Sequence, residues 1–82
     1  MSMQRYERRI TLDAGDVSTT SDAIQGEWAS YGLTQDADVA GPELTGVPGE
    51  PTKADARIEY EDSMAPAGIA AAKKPLDDRA TT

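Results

Sequence analysis

Residues 55–61 read Asp55-Ala56-Arg57-Ile58-Glu59-Tyr60-Glu61, and their alternation decides the fold. Ala56, Ile58 and Tyr60 fall on one side of an extended chain; Arg57, Glu59 and Glu61 fall on the other. That period of two belongs to a strand with one buried face and one wet face. Its partner is residues 5–12, Arg-Tyr-Glu-Arg-Arg-Ile-Thr-Leu, which set Tyr6, Arg8, Ile10 and Leu12 against Arg5, Glu7, Arg9 and Thr11. Outward Glu59 and Glu61 would then lie beside outward Arg5 and Arg9, in cross-strand pairs worth about 0.2–1 kcal/mol each. The connection between the strands is long enough for either a parallel or an antiparallel pairing.

Between them lies one helical stretch. After a turn at Asp13-Ala14-Gly15-Asp16, Thr19, Thr20 and Ser21 are candidate N-caps and Asp22 suits the positive end of a helix dipole. Ile24, Trp28 and Tyr31 follow at i, i+4 and i+7 as one apolar stripe, which predicts a helix over about 20–31. Gly32 fits the left-handed position just past its end, with Leu33 folding back onto Trp28 as in a Schellman ending. Gly26 inside the helix costs about 1 kcal/mol against alanine and is read as a place of close packing.

The remaining segments lack periodicity. Residues 34–53 carry Gly41-Pro42, Pro48-Gly49 and Pro51 and read as an extended arm. From Met64 onward the chain is Ala-rich and bounded by Pro66 and Pro75; two helical turns between those prolines would be unstable in isolation. The expected organisation is a small α+β unit over 1–63 with strands 5–12 and 55–61, one helix, an internal arm 34–53, and a tail 64–82 that is disordered or docked on a partner.

Composition limits the chemistry. The 82 residues contain no His and no Cys, and their formal net charge is −7. Zinc sites of Cys/His type and Ser-His-Asp or Cys-His nucleophile systems are therefore excluded. A net-acidic chain disfavours nucleic acid and anionic membrane surfaces, although residues 1–12 set three arginines against Glu7. No apolar run approaches the roughly 20 residues of a membrane span, and the start lacks a signal-like apolar stretch, so a soluble protein made in the cytoplasm is expected. With apolar residues at 38% and aromatics at 5%, the core is thin and marginal stability in isolation is expected.

Three short motifs fall short of the sites they suggest. Asp36-Ala-Asp38 opens like a calcium loop, but Ala40 and Val47 stand where its fifth and twelfth ligands belong. Gly41 to Gly46 has phosphate-loop spacing followed by Val47 in place of the lysine. Pro48-x-x-Pro51 matches a proline-rich ligand, a pattern frequent by chance. Paired carboxylates such as Asp77/Asp78 read as solvated charge, since there is too little apolar mass for a cleft that separates their pKa values.

No catalytic, cofactor-binding or metal-binding residue is therefore expected, and no small-molecule substrate. The expected function is a non-catalytic structural or interaction subunit that straps onto neighbouring protein chains, copies of itself included. A minor capsid or decoration protein of a virus particle is the first expectation. A free acidic regulator or adaptor that folds its C-terminal segment on one protein partner is the alternative. The expected partner-contact residues are Trp28, an interface-prone type, and the singly spaced apolar residues Val39, Leu44, Val47, Ile69 and Leu76.

Overall fold

The computed structural model describes residues 2–81. The elements run β1 (Met3–Thr11), a 3-10 turn at Asp13–Gly15, α1 (Val17–Ser30), β2 (Val39–Val47), β3 (Glu50–Glu61) and α2 (Pro66–Arg79). The strands form one antiparallel sheet in the order β1-β3-β2, so the alternating residues 55–61 belong to the central strand. The class is small α+β as expected, with three strands and two helices in place of two strands and one helix.

β1 and β3 pair antiparallel without a break, Tyr6 opposite Ile58 and Ile10 opposite Ala54. Ile10, Ala54, Ala56, Ile58 and Tyr60 are buried on the face that receives the helices. Both helices contribute to a single core: Ile24 and Trp28 from α1, Ala72 and Leu76 from α2, packed with Ile10, Val39, Ala56 and Ile58.

α1 begins one turn before the expected start. Asp16, not Thr19, Thr20 or Ser21, is the N-cap, its carboxylate accepting from the backbone N–H of Ser18 at 2.7 Å and of Thr19 at 3.3 Å. Thr20 is instead buried, its hydroxyl donating to the Asp16 carbonyl at 2.8 Å and accepting from the Asp13 N–H at 2.6 Å. The C-terminal end follows the sequence reading closely. Gly32 lies at φ +80°, the Gly32 N–H donates to Ala29 and the Leu33 N–H to Trp28, which is the bond pair of a Schellman motif. Tyr31 departs from the stripe and stays exposed, and a Cβ at Gly26 would meet nothing within 4 Å, so no close packing explains that glycine.

The segment expected as an arm, 34–53, instead holds β2 and the start of β3. Proline and glycine sit where a hairpin tolerates them. Pro48-Gly49 is the two-residue connection between Val47 and its partner Glu50. Gly41 and Pro42 occupy a bulge between the pairs Ala40–Glu59 and Glu43–Arg57, where no ladder N–H is required of the proline. Gly41 is at φ +109° and a Cβ there would lie 2.7 Å from the Arg57 carbonyl oxygen, so only glycine fits.

The segment expected as a tail, 64–82, is mostly α2, and the helix passes through Pro75. An interior proline costs about 3 kcal/mol. Here Pro75 and Leu76 are buried against the core, which offsets that cost. Beyond α2, Ala80 bridges to Ile10 and the Thr81 N–H donates to the Arg9 carbonyl at 3.0 Å.

Candidate functional site

The face of the sheet turned away from the helices carries the side chains that the alternation directs outward: Arg5, Glu7 and Arg9 of β1, Asp55, Arg57 and Glu59 of β3, and Glu43 and Thr45 of β2. Register sets opposite charges side by side. Arg5 lies across from Glu59 with a 3.6 Å ion pair, Arg9 across from Asp55 at 3.2 Å, and Arg57 stands between Glu7 and Glu43 and bonds Glu43. The expected Arg5–Glu59 pair forms; Arg9 takes Asp55, and Glu61 lies opposite Met3. An open depression of about 790 Å³ includes residues of this face. Such exposed pairs contribute little stability each, but they fix a charge pattern.

The free edge of β1 is the second feature. The Thr81 N–H bonds the Arg9 carbonyl, so that carbonyl points away from β3. In an antiparallel ladder the backbone groups of alternate residues point to the same side. The N–H and C=O groups of Met3, Arg5 and Glu7 therefore face outward too. Among the described residues only Ala80 and Thr81 pair along that edge, at its far end. The opposite edge, on β2, is interrupted by the Gly41-Pro42 bulge and is a poor template for another strand.

On the helix side of β1, Tyr6 and Arg8 both bond the Asp77 carboxylate, the latter at 3.0 Å. The Lys73 ammonium lies 4.8 Å from the Tyr6 ring centre and 5.2 Å from that of Tyr60, within cation–π range of both. Burial and then the Asp77 bond push the Tyr6 phenol above its ordinary pKa. Alongside, Lys74 is raised by its bond to Asp78.

The residues expected to touch partners separate into two groups. Trp28, Val39 and Leu76 are in the chain's own core, each at most 1% exposed, because α1, β2 and α2 close over one another. They are corrected from contact residues to core residues. Leu44 is partly buried against the same core, while Val47 and Ile69 are half-exposed, Ile69 lining a shallow strip along α2. None of the six lies on the free edge of β1. The charge alternation of residues 5–9 was legible, but only the strand order shows that β1 is outermost.

The Asp36/Asp38 loop is a turn: the Asp38 carboxylate accepts from the Thr34 N–H at 2.7 Å and hydroxyl at 3.0 Å. Among the described residues no three His, Cys, Asp or Glu side chains are grouped to hold a metal ion, and no helix is long and apolar enough to cross a membrane. Set against known proteins, the chain matches no family model and shows no significant similarity to a curated protein or a solved structure.

Proposed function

We propose that this chain is a non-catalytic interaction subunit that contacts other protein through the free edge of β1. The observation that supports this is the run of outward backbone donors and acceptors at Met3, Arg5 and Glu7, left open beside a sheet whose other edge is bulged. Strand addition supplies affinity through main-chain hydrogen bonds and selectivity through the flanking side chains. The contact is a preformed strand edge, since the segments expected to act as straps are folded on their own chain. A virus-particle component no longer has those straps to support it. The reading carried forward is a self-contained acidic module.

Photo-crosslinking tests the proposal. A photoreactive amino acid at Met3, which is half-exposed beside the free edge, should give a discrete protein adduct under native conditions. The same group at Ser18, on the exposed start of α1, should not. Equal adducts, or none, at both positions would refute docking through this edge.

A further inference from the structure

Resting on that reading, we infer that the occupant of the β1 edge is an extended segment of a different protein. It runs antiparallel to β1 and reads base-x-acid-x-apolar, its base opposite Glu7, its acid opposite Arg5 and its apolar residue opposite Met3. The outward backbone groups of Met3, Arg5 and Glu7 set the length of the contact, because beyond them the Arg9 carbonyl already accepts from Thr81. Direction follows from the sheet. Its strands all pair antiparallel, and one of its faces is open to water, which antiparallel pairing tolerates and parallel pairing rarely does. A second copy of β1 does not fit. A two-fold axis that sets Arg5 against Glu7 also brings Met3 opposite Arg9, the place that Thr81 holds.

Register follows from charge. Glu7 is the only acid of β1, so a base on the incoming strand finds an opposite charge there and nowhere else along the edge. With the base there, the acid two residues further on stands opposite Arg5. One step of slippage puts the base opposite Tyr6 or Arg8, and two steps put it opposite Arg5 or Arg9. β1 already meets this pattern on its β3 side: Arg57 lies opposite Glu7 and Glu59 opposite Arg5, in the same antiparallel sense. The incoming strand repeats it on the free side. Two rows of alternating charge then continue across the sheet, one of Glu43, Arg57, Glu7 and the base, the other of Glu59, Arg5 and the acid. The Glu7 side chain is 62% exposed and its ion pair with Arg5 is a loose 3.9 Å, so its carboxylate keeps acceptor capacity for a second cation. Met3, 51% exposed, offers the apolar contact at the end of the segment. A strand of unmatched charge meets like charge at Arg5 or Glu7, which closes the edge to arbitrary pairing.

The test is a peptide comparison on the full chain, followed through its backbone amide signals in NMR. The probes are two capped peptides, Lys-Thr-Glu-Thr-Val and Glu-Thr-Lys-Thr-Val, which differ only in charge order. The first should shift the amides of Met3, Arg5 and Glu7 and bind about tenfold tighter than the second. Glu7→Gln removes one of the two ion pairs and should cut that preference to about threefold, with circular dichroism checking its fold. Equal binding of the two peptides, or tighter binding of the second, overturns the inference whatever the variant does. A preference that folded Glu7→Gln leaves unchanged overturns it as well. Shifts at those amides that follow protein concentration without peptide identify a second copy as the occupant and also overturn it. No shift with either peptide, while the photoreactive group at position 3 captures a different protein, overturns the segment's chemistry and leaves the edge contact standing. No shift and no edge-specific adduct overturn both.

Discussion

The indole N–H of Trp28 donates to the backbone carbonyl of Ala72 at 2.9 Å, inside the core. That bond ties α1 to α2 across 44 positions of sequence and accepts no substitute, since the site is closed to water. Trp28→Phe removes the donor, leaves a buried carbonyl short of its partner and opens space beside Leu76. A loss of about 2–4 kcal/mol is expected by urea unfolding. The same contact implies that removing residues 64–82 unfolds the rest, because Ala72 and Leu76 complete the core around Ile10 and Ile58. A truncated chain that keeps the native circular dichroism spectrum would show the helix to be an accessory.

The two glycines of the α1 region should respond with opposite signs. Gly32 is at φ +80°, so Gly32→Ala forces an L side chain into a left-handed conformation and should cost about 1 kcal/mol. Gly26 lies inside the helix with nothing within 4 Å of an added Cβ, so Gly26→Ala should stabilise by about 0.5–1 kcal/mol. Thermal unfolding of the two variants beside the parent checks both, and a destabilised Gly26→Ala would count against its open surroundings.

The difference between those glycines marks what the sequence could convey. Gly32 follows an apolar stripe and precedes Leu33, so its role is written in local neighbours. Strands 5–12 and 55–61 were legible for the same reason, their alternation being local. β2 was not, because Gly41, Pro42 and Pro48 spoil the period that would announce it. Their positions in a bulge and a hairpin turn depend on β3 lying alongside. α2 was missed because proline normally ends a helix, and Pro75 is retained by burial that only the folded core supplies. Val39 and Leu76 looked like solitary apolar residues until tertiary packing gathered them.

Tyr6 makes a pH prediction. Burial, followed by its bond to Asp77, raises its pKa, so the folded state holds the phenol proton more tightly than the unfolded chain does. The contribution is complete below the unfolded value of about 10 and is lost as pH rises through the folded value. Above that range the phenolate would also face the Asp77 carboxylate. Tyr6→Phe should be less stable than the parent near neutral pH, and the gap in Tm should narrow as pH rises above about 10. A gap constant over that range would remove the Tyr6–Asp77 bond as its cause.

The last prediction concerns Arg79, whose side chain is 15% exposed and joins three elements. Its guanidinium bonds Asp13 of the 3-10 turn at 3.1 Å, Glu27 of α1 at 2.6 Å and the Pro75 carbonyl at 3.0 Å. Burial alone would lower its pKa; the bonds to Glu27 and Asp13 outweigh burial and raise it. The geometry depends on a planar fork with several donors, which the lysine ammonium cannot reproduce. Arg79→Lys should therefore cost about 1–2 kcal/mol although charge is conserved, and Arg79→Ala about 2–3 kcal/mol. Because Glu27 is itself left without its cation, Arg79→Ala and Glu27→Ala should be strongly non-additive. A double-mutant cycle by urea unfolding is expected to give a coupling of about 1 kcal/mol or more, against the small values of the exposed pairs on the open sheet face. Additive losses, or an Arg79→Lys variant as stable as the parent, would show that α2 is held by its apolar face alone.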